Sequence, residues 1–323
     1  MTRRMIVIIA AFITLFAAVP SYAQTLKVTL LGTGRPDPVM DRFGPSTLVE
    51  AGGQTLLFDC GRGASQRLWQ LQTPLSRVSA VFLTHLHSDH TVGLPDLWLT
   101  GWMPAPYGRR TVPLRVWGPE GTRSMMSSLK EAYKWDIRVR GEGDGLPAAG
   151  IDVAAAEVRQ GVVYERDGLK VTAFDVDHGG LLQPAFGYRI DYQGRSVVIS
   201  GDTRPSENLV AFARNADVVI HEVIAARPEL LAKSADVRRI VGYHTGPEDA
   251  GKIFERVKPK LAVYSHVVLL TTDPSISAPT LSDLTSRTRT TYQGPLEVGE
   301  DLMTIVISDR VDVRRFTQPE RQH

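Results

Sequence analysis

The stretch Thr84-His85-Leu86-His87-Ser88-Asp89-His90 restricts this chain more than any other. It follows the apolar run Val78 to Leu83, which reads as the end of a buried strand. Three imidazoles and a carboxylate then fall where strand gives way to loop. Imidazole and carboxylate suit a borderline divalent ion such as zinc, and a reactive site needs them close together with a coordination position left open. Without an ion the histidines would repel one another once protonated, and burial without partners would penalise them. Polar residues that merely end a strand are the plainer reading, but they leave three neighbouring imidazoles without a purpose.

The same pattern recurs along the chain. Thr55 to Phe58 is an apolar strand that closes on Asp59, and Leu169 to Val176 closes on Asp177-His178. Phe186 to Tyr192 and Ser196 to Ser200 pair about Gln193-Gly194 and deliver Gly201-Asp202-Thr203-Arg204. Ala216 to Ile220 ends at His221-Glu222, and Leu261 to Tyr264 ends at Ser265-His266. His244 precedes the helix start Gly246-Pro247. Only one face of a layered α/β structure, with helices on its outer surfaces, would collect so many strand ends.

Asp59 either orients a ligating histidine through that ring's second nitrogen or caps the following helix. Cys60, the single cysteine, reads as a small buried side chain. Trp98, Trp102 and Tyr107 crowd a Gly/Pro-rich region just beyond the histidines. They either wall a pocket for an aromatic group or pack over the core. Residues 137 to 160 show no periodicity, 271 to 289 read as a long polar loop beside His266, and about 311–323 read as a disordered tail.

Arg3 and Arg4, an apolar run from Met5 to about Val19, and Ser21-Tyr22-Ala23 have the layout of a secretory signal peptide. The run is short for a membrane span, which needs roughly 20 residues. Residues 24–323 are then expected as a single exported domain, periplasmic or secreted, with no membrane attachment after processing. The chain carries 37 Lys+Arg and 35 Asp+Glu, so removal of Arg3 and Arg4 leaves it formally neutral. Neutrality gives no bulk electrostatic reason to bind a polyanion. A lone cysteine forms no intrachain disulfide, so packing and metal must hold the exported fold.

His85-x-His87-x-Asp89-His90, with His178, Asp202 and His266 at a distance, resembles the ligand set of the metallo-β-lactamase fold superfamily. Leu31-Gly32-Thr33-Gly34, Leu57-Phe58-Asp59-Cys60-Gly61, Gly93-Leu94-Pro95 and His221-Glu222 look most like its ribonuclease Z branch and exported relatives, among them aryl sulfatases and small phosphodiesterases. The resemblance implies a four-layer αββα sandwich. It implies one zinc on His85, His87 and His178, a second on Asp89, His90 and His266, and Asp202 between them. Manganese or iron would suit the same donors. It further implies that Asp59 orients a ligand and that Glu222 and His244, with Asp89, serve catalysis. Arg189 and Arg204 are candidates to stabilise charge on substrate oxygens.

Bacterial ribonuclease Z enzymes carry a Lys-rich arm between the third histidine motif and the Gly-Asp-Thr motif, and here only 23 residues separate His178 from Asp202. With the leader and the neutral charge, this argues for a small anionic ester and against nucleic acid. The leading expectation is therefore a binuclear zinc hydrolase of small phosphodiesters or aryl sulfates. The alternatives are a ribonuclease Z-like endoribonuclease, a lactone or β-lactam hydrolase, and a non-catalytic binding protein on the same fold. A homodimer stays open.

Overall fold

The computed structural model describes residues 25–317, so the leader expected at residues 1–23 lies outside the described residues. Six strands open the chain: β1 (Leu26–Gly32), β2 (Ser46–Ala51), β3 (Gln54–Phe58), β4 (Ala80–Phe82), β5 (Leu114–Gly118) and β6 (Val153–Glu157). Seven more follow: β7 (Gly161–Arg166), β8 (Leu169–Val176), β9 (Ala185–Tyr192), β10 (Arg195–Ile199), β11 (Val218–Ala226), β12 (Leu261–Leu270) and β13 (Leu296–Val298). β14 (Thr304–Ile307) and β15 (Val311–Arg314) then return to the first group. One sheet runs β15-β14-β1-β2-β3-β4-β5-β6 and the other β13-β12-β11-β10-β9-β8-β7.

The two sheets pack face to face over a core that includes Leu30, Phe58, Phe82, Tyr188, Ile190 and Val197. Phe58 and Phe82 stack at 5.0 Å, and Tyr188 tilts against both. Burying each such side chain contributes about 1.5–3 kcal/mol. The Tyr188 hydroxyl donates to the Leu83 carbonyl at 2.8 Å, which ties the second sheet to the segment leading into His85. Two outer apolar layers seat the helices: Leu68, Leu94, Leu97 and Met126 against the first sheet, and Leu209, Ile253, Phe254 and Leu284 against the second. The result is the αββα order of layers.

β11 is buried along its whole length because β10 and β12 flank it and helices cover its outer face. The helix Pro247–Val257 starts on a proline, carries Glu248 and Asp249 in its first turn, and stops at left-handed Lys258. Among the described residues no helix is long and apolar enough to cross a membrane.

Three segments differ from expectation. Residues 137 to 160 are ordered as the helices Lys134–Gly143 and Ala148–Ile151 followed by β6, whose alanines are held by pairing with β5 despite weak strand propensity. The expected loop at 271 to 289 contains the helix Leu281–Thr288, started by a capping box between Thr280 and Asp283. The tail expected to be disordered from about 311 instead begins with β15, in which Val311 and Val313 pair with Ile307 and Ile305.

Candidate metal centre

Every candidate donor but His266 sits at or beyond a strand end, and all gather on one edge of the sandwich. His85 and His87 follow β4, and Asp89 and His90 belong to the short helix Ser88–Thr91. His178 lies two residues beyond β8, and Asp202 follows β10 through left-handed Gly201. His266 lies within β12. Glu222 pairs with Ser265 and Val223 with Val267, so His266 is an extra residue, with φ 45°. That bulge breaks the alternation and turns the imidazole toward the other donors.

Asp202 Oδ2 is the hub. It lies 3.2 Å from His266 Nε2, 3.4 Å from His90 Nε2, 3.7 Å from His178 Nε2 and 4.0 Å from His85 Nε2. His87 Nδ1 is 3.0 Å from His85 Nε2 and 3.4 Å from His178 Nε2. Asp89 Oδ2 is 3.3 Å from His266 Nε2 and 3.6 Å from His90 Nε2. Donors bound at ~2.1 Å around a tetrahedral ion lie about 3.4 Å apart, so these spacings fit a metal.

The donor set fits divalent ions on a second ground. Nε2 of His90 and Oδ1 of Asp202 are buried without a hydrogen-bond partner. Orphaned polar atoms cost free energy, and two on converging donors need a common partner. Two groups of donors meet around this space, His85, His87 and His178 in one and Asp89, His90 and His266 in the other. Burial, aided by neighbouring rings, pulls the His85 and His87 pKa values down, which favours the neutral form that ligates. For His90 burial acts the same way, but the Asp202 and Asp59 carboxylates outweigh it and hold its pKa well above the usual value.

Asp59 stands behind this group. Its Oδ1 accepts from the Thr84 amide at 2.8 Å, and Oδ2 accepts from the Thr84 hydroxyl at 2.9 Å and lies 2.8 Å from His90 Nδ1. A proton fixed on Nδ1 leaves Nε2 facing the donors. Cys60 beside it is buried, which pushes its thiol pKa far up.

Glu222 and His244 come together at the rim. Glu222 Oε1 accepts from the Thr203 amide at 3.2 Å and the Thr245 amide at 3.0 Å, and lies 3.2 Å from His244 Nδ1. Burial disfavours a charged His244, but Glu222 outweighs it and the pKa is pushed up to about 9. The His244 ring lies 4.9 Å from that of His178.

Other expected contacts are placed elsewhere. Trp98 and Trp102 are fully buried in the outer layer, and their indoles donate to the carbonyls of Ile151 and Pro147. Their bulk is spent on the core, so they wall no pocket at the donors. Tyr107 stacks at 5.5 Å on Trp69, away from the centre. Arg189 is held by Asp191 and by the carbonyls of Phe212 and Arg214, on the helix-covered side of β9. Arg204 donates to the Gly242 carbonyl and Asp177 and lies over Tyr243, so it clamps the loops of His178 and His244 together.

The walls around the donors come from residues that no local sequence pattern marks. A cavity of about 320 Å³ joins His87, Asp89, Asp202, His244 and His266 to Arg35, Ile240, Val268 and Leu270. Arg35 belongs to the Gly/Pro-dense loop after β1, whose base is pinned by Asp301 accepting from the Thr33 and Phe43 amides. Its glycines and prolines marked a loop, but nothing local disclosed that a residue 268 positions later anchors it.

The family model described as "Beta-lactamase superfamily domain" matches residues 54–267. Ribonuclease Z of Mycobacterium sp. (strain KMS) is 35% identical over 289 residues, covering 90% of this chain and 99% of the relative. The crystal structure of human tRNase Z, short form, superposes with a TM-score of 0.62 at 23% identity, covering 87% of this chain and 98% of that one. Zn(2+)-bound PqqB from Methylobacterium extorquens superposes with a TM-score of 0.59 at 17% identity, covering 86% and 99%. These findings correct the expectation that argued against nucleic acid as a partner. Relatives that match along nearly their full length are named ribonucleases, and overall neutrality says little about local charge. The chain belongs to the beta-lactamase superfamily, among homologues of ribonuclease Z, and is a metal-dependent hydrolase of the metallo-β-lactamase fold acting on ester bonds.

Proposed function

We propose that this chain hydrolyses RNA phosphodiesters at a centre of two divalent metal ions, zinc in the first instance. The observation that carries the reading is the Glu222–His244 pair beside the donor cluster. Similarity to the mycobacterial ribonuclease Z supports the choice of RNA. His85, His87 and His178 would hold one ion, Asp89, His90 and His266 the other, and Asp202 would contact both. Such ions supply Lewis-acid activation of the attacking water and of the phosphoryl oxygens.

The chain's own residues carry the rest. With Nδ1 held by Glu222, His244 keeps Nε2 for the departing ribose oxygen, and its raised pKa keeps a proton there at neutral pH. Glu222 fixes the ring and compensates its charge. Two backbone amides in turn fix Glu222, so the pair is set before substrate arrives. Ile240, Val268 and Leu270 offer an apolar wall to a base or sugar next to the scissile bond.

A small phosphodiester is the second reading. It is favoured by the short link 177–184 between β8 and β9, which leaves no room for an arm. Aryl sulfate loses its motive, because the tryptophans that suggested an aromatic leaving group lie in the core. The leader layout makes export part of the proposal, and N-terminal sequencing of the protein recovered from its host would test it.

The deciding assay gives metal-loaded protein an RNA with an unpaired 3′ extension, a bis(nitrophenyl) phosphate and a nitrophenyl sulfate. Metal-dependent RNA cleavage that collapses in His244→Ala supports the proposal. Turnover of the nitrophenyl phosphate alone shifts the assignment to small phosphodiesters, and turnover of the sulfate alone overturns both.

A further inference from the structure

The edge of the sandwich opposite the metal centre holds a second concentration of polar chemistry. Strands β3, β4, β5 and β6 run parallel, with their carboxyl ends toward the donors. Their opposite ends contribute Gln54, Ser79, Pro113 and Ala154 to a cavity of about 640 Å³. Arg110, Arg115 and Arg166 also line it, and no Asp or Glu does.

The three arginines differ in a telling way. Arg110 is 3% exposed, and its terminal nitrogens donate to the carbonyls of Trp98 and Leu97. Its Nε is buried without a partner. Burial pulls its pKa down to about 10, which still leaves it charged. Arg115 is exposed and forms no ion pair among the described residues. Arg166 is half exposed and meets Asp167 at 3.4 Å. Asp167 also accepts from Gln54 and is not itself among the lining residues. Three arginines therefore line one cavity with no carboxylate among its lining residues, and two of them, Arg115 and Arg166, keep exposed side chains.

We propose that this cavity binds a phosphoryl oxyanion carried by a molecule of mononucleotide size. Guanidinium forks match phosphate oxygens in pairs, and a charge-assisted bond is roughly twice as strong as a neutral one. The volume suits a nucleotide-sized body, since small-ligand pockets span about 300–1,000 Å³. Val78, Val112 and Pro113 give it an apolar side. The site stands apart from the hydrolytic centre and does not depend on the function proposed for that centre.

The test titrates adenosine 5′-monophosphate, inorganic phosphate and a short oligoribonucleotide into metal-loaded full-length protein by calorimetry. The wild type is compared with Arg115→Ala/Arg166→Ala, two surface changes that leave Arg110 and its carbonyl contacts intact. The expected result is one saturable binding event beyond any at the metal centre, which weakens at least about tenfold in the double variant, while melting temperature and hydrolysis stay unchanged. Binding of the mononucleotide assigns a free ligand, and binding of the oligoribonucleotide alone assigns an RNA backbone phosphate. Equal affinity and stoichiometry in both proteins, or no saturable binding in the wild type, overturns the proposal.

Discussion

The two halves of the metal centre are built from different material. On the inner side, His90 is 1% exposed and Asp202 3%, and Asp59 backs them with a network that also takes the amide and hydroxyl of Thr84. On the outer side, His87 and His244 border the open cavity, and His244 comes from the link between two helices. The inner half is fixed by packed strands, whereas the outer half is fixed by hydrogen bonds to loops. Under the proposed function the difference would separate holding from reacting. Burial protects ligation, and partial exposure admits substrate and moves protons.

The sharpest way to break this division is Asp202→Ala. Loss of the hub carboxylate should lower bound metal, read by elemental analysis, and reduce kcat/KM by roughly a thousandfold or more. If the variant keeps its metal and its rate, the hub reading fails. His244→Ala should leave metal content unchanged and cost about 10²–10⁴ in kcat toward RNA, with a smaller loss for a nitrophenyl ester whose leaving group needs no proton. Equal losses on both substrates would make His244 a structural residue. Asp59→Ala probes the inner half from behind. It should weaken metal affinity about 10–100-fold in chelator competition, with kcat at saturating metal nearly kept. The smallest effect is at Cys60, which should resist iodoacetamide in the folded protein and react only in denaturant, because burial raises its thiol pKa. Rapid labelling without denaturant would show that the inner half opens.

The inner half was legible in the sequence and much of the outer half was not. His85, His87, Asp89 and His90 stand together, and each remaining donor follows an apolar run that announces its strand. Hydrophobic period reports where strands stop, so it reports residues placed at strand ends. It does not report what covers them. Ile240, Leu270 and Arg35 come from three distant segments, and only tertiary packing makes them neighbours. Composition left Trp98 and Trp102 open between pocket and core, because a tryptophan in a Gly/Pro-rich stretch reads the same in either place, and the structure puts both in the core. The helix Leu281–Thr288 was recoverable in principle, since Thr280 and Asp283 spell its start.

The bulge at His266 makes one donor depend on counting. β11 and β12 pair in register on both sides of it, so this imidazole faces the other candidate donors only because β12 carries one residue more than β11 across that step. Deleting either neighbour, Ser265 or Val267, would let the ladder close without a break and swing the histidine out of line, although every donor would still be present in the sequence. A search for the ligand residues would pass such a chain as intact. Spacing is therefore as much a requirement of this centre as composition.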